Sequence, residues 1–172
     1  MTLQAITVIG HDRPGIIAEA TAALADLGLN LEDSTMTLLR GHFAMMLVCE
    51  GDAPSAEIER ALAFLTEDGS LDVSVREVPA EQGGPATGTP YVLTVHGGDR
   101  PGIVSAVAAR VAEVGGNITD LTTRLSGELY LLIAEVDVPA GTDVDALQAS
   151  LRGAADELGV GATLRQVESD DL

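Results

Sequence analysis

The sequence predicts an α+β fold made of two consecutive units, each an antiparallel sheet with two helices on one face. Three observations predict it. The pentapeptide Asp-Arg-Pro-Gly-Ile occurs at residues 12–16 and again at 99–103, 87 residues later. The same offset carries Asn30 to Asn117 and Asp33 to Asp120. Between these landmarks, β-type runs and helical spacings alternate in one order, βαββαβ, in both copies. Two copies make a tandem duplication rather than a solenoid, which needs at least three repeats.

Each element has its own signal. "AITVI" and "YVLTV" are β-rich and open the copies. After the Asp-Arg-Pro-Gly turn, Ile16, Ile17, Ala20, Leu24 and Leu27 keep helical spacing, as do Ile103, Val104, Val107, Val111 and Val114. Gly28 and Gly115 end these helices, because glycine takes the left-handed conformation of a helix C-terminus. Two apolar-rich runs then flank Arg40-Gly41 in the first copy and Ser126-Gly127 in the second, which predicts hairpins with turns there. Within the first hairpin, "MTLL" and "FAMMLV" read as core. Second helices follow, marked by Ile58, Ala61, Leu62 and Leu65, and by Val144, Leu147, Leu151 and Leu158. The runs "LDVSVREV" and "ATLRQV" close the copies as strands. The Pro/Gly-rich stretch between the copies lacks apolar periodicity and reads as a linker. The expected organisation is a first domain over 1–79, a linker over 80–89, a second domain over 90–168 and an acidic tail over 169–172.

Composition narrows the function. With 46% hydrophobic residues, 2% aromatics and no Trp, the core must come from Ala, Val, Ile and Leu. A net charge of −18 repels nucleic acid, so direct DNA or RNA binding is not expected. No apolar run reaches membrane-spanning length and no secretory signal is seen, so a cytoplasmic protein without a membrane partner is expected. The single Cys49 fits a reducing compartment. His11, His42, His96 and Cys49 lack metal-ligand spacing, and no nucleophile or phosphate-loop motif occurs. No metal, no cofactor and no enzymatic activity are therefore expected, and His11 and His96 are placed at the mouths of the two turns.

The turn itself has two readings. Proline suits the first helical turn, glycine lets another group approach the backbone, and Asp accepts from free amides, so the motif serves as a helix-start device. The same parts suit a zwitterion. A helix N-terminus favours a carboxylate, an Asp carboxylate pairs with an ammonium, and Asn30 or Asn117 both donates and accepts. The charges of Arg13 and Arg100 are expected to face solvent or an acidic neighbour, and Asn30 also reads as a left-handed C-cap or turn residue.

The stretches "GHDRPGIIAEATAALADLGLNLEDSTMTLLRGHFAMMLV" and "GGDRPGIVSAVAARVAEVGGNITDLTTRLSGELYLLIAEV" each resemble an ACT domain. The chain is similar in this to tandem ACT regulators, transcriptional repressors among them. The resemblance implies ferredoxin-like domains, paired edge to edge or face to face, with an amino acid held at an interface between ACT units. It places ligand contacts on Asp12, Arg13, Pro14, Gly15 and Ile16, on Asp99, Arg100, Pro101, Gly102 and Ile103, and on Asn30 and Asn117. Many amino-acid-binding ACT domains carry a polar contact two residues before the Asp, where this chain has Gly10 and Gly97. The expected function is a regulatory protein, a homodimer, that binds an amino acid and is sensed by a protein partner. The alternative is a purely structural dimerisation module with no small-molecule ligand.

Overall fold

The computed structural model describes residues 2–79 and 88–167 of the 172. The chain divides into two compact units, Met1–Gln82 and Gly83–Leu172. Residues 80–87 of the expected linker and the expected tail 169–172 lie outside the described residues. Gly88 and Thr89, expected in the linker, are strand residues instead.

Unit 1 runs β1 (Thr2–His11), α1 (Ile16–Asp26), β2 (Asn30–Leu39), β3 (His42–Gly51), α2 (Ser55–Ala61), a 3₁₀ turn (Ala63–Thr66) and β4 (Leu71–Val78). Its sheet has the order β2-β3-β1-β4 with every pairing antiparallel. Unit 2 repeats this as β5 (Gly88–Gly98), α3 (Ile103–Glu113), β6 (Asn117–Ser126), β7 (Leu129–Pro139), α4 (Val144–Glu157) and β8 (Val160–Gln166), in the order β6-β7-β5-β8. The βαββαβ order and both ferredoxin-like sheets are as the sequence predicts.

Period-two alternation decides which face is buried. In unit 1, Ile6, Val8, Phe43, Met45, Leu47, Leu71 and Val75 point from the sheet onto Ile16, Ala20, Leu24, Ile58, Leu62 and Leu65. Unit 2 has its own core, with Leu93, Val95, Leu132, Ala134 and Val136 against Ile103, Val107, Leu147 and Leu151. The helices cover the three strands β3, β1 and β4 and leave β2 bare: all ten of its residues are exposed. "MTLL", expected in the core, is therefore on the surface, with Met36 45% and Leu39 53% exposed. Ile17 and Val104, expected on the buried helix face, are exposed too, because the buried stripe runs through Ile16, Ala20 and Leu24 and through Ile103, Val107 and Val111, and the next residue in the chain is turned about 100° away from it. The second hairpin turns at Gly127–Glu128, one residue beyond the expected Ser126-Gly127, since Ser126 still pairs with Leu129.

Two glycines are dictated by strand packing. A Cβ at Gly10 would stand 2.1 Å from the Ser70 carbonyl oxygen, and one at Gly97 would meet the Val160 Cα at 3.0 Å. The polar contact that many ACT domains carry here cannot be built on this backbone, because β1 and β5 pass too close to the chain leading into β4 and β8.

Candidate functional site

The unit 1 turn is held by backbone bonds before any side chain acts. The His11 amide donates to the Ser70 carbonyl at 2.9 Å, and the Asp12 amide donates to the Gly41 carbonyl at 3.2 Å. The turn is thus pinned both to the segment entering β4 and to the tip of the β2–β3 hairpin. Gly15 (φ 93°) and Gly102 (φ 94°) then take the left-handed conformation as the N-caps of α1 and α3, which only glycine adopts without strain. Their carbonyls accept from Glu19 and Ala106 at 2.9 Å.

This geometry corrects the helix-start reading. Pro14 and Pro101 lie two residues ahead of the helices rather than in their first turn. Neither Asp12 nor Asp99 caps: no side chain accepts from the amides of either first turn. The exposed carboxylates of both Asp residues stand beside helix ends that lack a side-chain cap.

The arginines differ between the copies. Arg13 donates to both carboxylate oxygens of Glu19, at 3.2 and 2.7 Å, one turn into α1. That hydrogen bond holds the Glu19 carboxyl below its ordinary range and raises Arg13 above its own. In unit 2 the position of Glu19 is Ala106, and among the described residues Arg100 meets no carboxylate. Arg100 instead lines an open cavity of about 300 Å³ with Asp99, Gly102, Ile103, Val104 and Tyr130.

Asn30 and Asn117 start β2 and β6. They do not join the turn of their own unit. Asn30 pairs with Glu50 at one end of the hairpin, whereas His42, beside the turn, is at the other. At 3.3 Å per residue, that separation is about 25 Å. One amino acid cannot touch both ends of a unit.

His11 stacks on His42 across the β1–β3 pair, with centroids 5.6 Å apart. His96, expected at the mouth of the second turn, lies on the open face of the unit 2 sheet over Gly161. There it lines a second cavity of about 280 Å³ with Val92, Thr94, Thr163 and Arg165. Sequence reasoning missed this surface, although its signal was the strand alternation that sets His96 opposite buried Val95. Among the described residues no helix is long and apolar enough to cross a membrane.

Comparison with known proteins gives a consistent result. The family model for the ACT domain matches residues 3–76 and 89–165. A UPF0237 protein of Methanopyrus kandleri is 38% identical over 79 residues, covering 44% of this chain and 88% of the relative. A solved structure of an unknown protein from Galdieria sulphuraria is 29% identical and superposes with a TM-score of 0.82, over 97% of this chain and 99% of that one. The structure of a candidate glycine cleavage system transcriptional repressor superposes with a TM-score of 0.73, over 98% of each chain, at 19% identity. The last likeness is one of fold.

Proposed function

The chain belongs to the ACT-domain family, twice over, and on that premise we propose that it is a cytosolic, non-catalytic regulator that binds a free amino acid. One observation carries the reading. At each turn an arginine, an uncapped helix start and an Asp carboxylate lie within four residues of one another. An amino acid presents a carboxylate and an ammonium on adjacent atoms. The arginine and the helix amides suit the first group, and the Asp suits the second.

The separation of turn and Asn within a unit supports ligand capture between units. An amino acid that meets a turn takes its Asn from a second copy of the domain. The bare β2 edge and the largely exposed β6 edge, with exposed Leu38, Leu39 and Leu125, favour pairing of two chains, since exposed apolar edges are normally covered. Ligand binding then alters a paired interface that a protein partner reads. If the output is transcriptional, the partner contacts DNA, because a chain of charge −18 is repelled by the duplex. The same edges favour the second reading, a dimerisation module that takes no ligand.

A thermal-shift screen of the twenty amino acids separates the two. A ligand that binds only the folded state raises its melting temperature by mass action. A rise with one amino acid or a small chemical group of them is expected. No rise with any of them would leave the module reading standing.

A further inference from the structure

The duplication supplies its own control, because the ligand-reading positions can be compared between two copies of one fold. In unit 1 the arginine and the asparagine are each already engaged by a local glutamate. Arg13 is gripped by Glu19 in a two-pronged ion pair, and the Asn30 side-chain amide donates to Glu32. Glu19 also crowds the turn, its Oε1 lying 3.2 Å from where a Cβ on Gly15 would stand. A carboxylate thus already occupies the approach to the arginine and the helix start.

Unit 2 has neither glutamate. The positions of Glu19 and Glu32 are Ala106 and Thr119. Among the described residues Arg100 has no acidic partner and the Asn117 side chain has no hydrogen-bond partner. The Thr119 hydroxyl turns away to the Glu135 carbonyl. A third difference agrees. Phe43, 2% exposed in the core of unit 1, is replaced at its position by Tyr130, which is only partly buried and lines the cavity beside Arg100. Unit 2 therefore adds a phenol where unit 1 has none.

We infer that the two domains have divided the work: the turn and the Asn of unit 2 hold the amino acid, and unit 1 is closed to it by Glu19 and Glu32. This rests on the amino-acid reading proposed above. A tethered carboxylate acts at a high effective concentration, so a free ligand competes poorly with Glu19 for Arg13. In unit 2 the ligand carboxylate takes toward Arg100 the place that Glu19 takes toward Arg13. Since Asn117 is remote from the unit 2 turn, the full contact set comes from unit 2 of two chains, which sets one ligand per chain.

The test follows the amides of Gly15 and Gly102 by NMR while each of the twenty amino acids is titrated into the full chain, with calorimetry for stoichiometry. The expected result is a shift at Gly102 with none at Gly15, and one ligand per chain. Exchanging the glutamates between units makes it reciprocal. Ala106→Glu with Thr119→Glu should weaken binding about ten-fold or more, roughly 1.4 kcal/mol. Glu19→Ala with Glu32→Thr should make Gly15 respond and raise the stoichiometry to two. All four positions lie at the surface or partly exposed, and circular dichroism verifies that each variant is folded. Equal shifts at Gly15 and Gly102 in the wild type, or an exchange that leaves affinity and stoichiometry unchanged, overturn the division of labour while keeping the amino-acid reading. No response at either amide to any amino acid overturns both.

Discussion

Asp99 carries a charge that no described side chain offsets, beside a helix start it does not cap. Replacing it by Asn should leave stability nearly unchanged, since no capping bond is lost. Ligand binding should weaken by about 1.5–3 kcal/mol, the usual range for a hydrogen bond to a charged group. Titration calorimetry with the amino acid found by the screen checks this, and unchanged affinity would remove Asp99 from the site. Glu19 makes a second residue-scale prediction, in pH. Its carboxyl is held below 4.5 first by the hydrogen bond from Arg13. The folded state therefore takes up this proton less readily than the unfolded chain. The stabilisation is complete above the ordinary Glu range and is lost as pH falls through the depressed folded value. Denaturant melts of wild type and Glu19→Gln should differ near neutrality and converge in acid. Asp68, lowered by Ser70, whose amide donates to its carboxylate at 2.8 Å, adds a loss of the same sign to both proteins.

Among the elements, the β2–β3 hairpin bears a local conflict. Its two-residue turn has positive φ at Arg40 (52°) and Gly41 (85°), the type I′ geometry that matches strand twist and favours Asn-Gly. Arginine pays about 1–2 kcal/mol in that conformation. Arg40→Asn should recover up to about 1 kcal/mol, a rise of roughly 4–8 °C in melting temperature for a unit of this size. A lower melting temperature would mean that Arg40 makes a stabilising contact in the assembled protein. The equivalent turn in unit 2 already begins with a glycine, Gly127 (φ 62°), so Gly127→Ala should destabilise its hairpin.

At the scale of the whole chain, the described residues form two cores with no shared residue. Leu93→Ala should therefore lower the stability of unit 2 by about 2–5 kcal/mol and leave unit 1 intact. Cys49 reports on unit 1: it is 1% exposed, and burial pushes its thiol up. Its labelling by a thiol reagent needs unit 1 to open, so Leu93→Ala should not speed it, whereas Leu47→Ala should. Faster labelling in Leu93→Ala would show that the units unfold together. Light scattering checks the assembly, with a mass near twice 17.7 kDa expected for paired chains.

Much of this was legible in the residues because it is local. Alternation and helical spacing record which face an element buries, and the glycines after α1 and α3 record a left-handed helix end, φ 73° at Gly28 and 72° at Gly115. A repeated motif needs no fold to be seen, so the duplication and the strand–turn–helix placement of Asp-Arg-Pro-Gly were open to inspection. Other features depend on what lies across space. "MTLL" has the composition of core, but only the helix layer's width decides that β2 is bare. Gly10 reads as a missing ligand contact until Ser70 is seen 2.1 Å from its would-be Cβ. The turn and Asn30 seem joined in the motif, yet the hairpin sets them at opposite ends. Glu19 is an ordinary helix-surface residue in the sequence, and only the folded turn shows it as the partner of Arg13. Local periodicity is written residue by residue. Side-chain partnership is a property of the packed backbone, so the tertiary structure alone decided it.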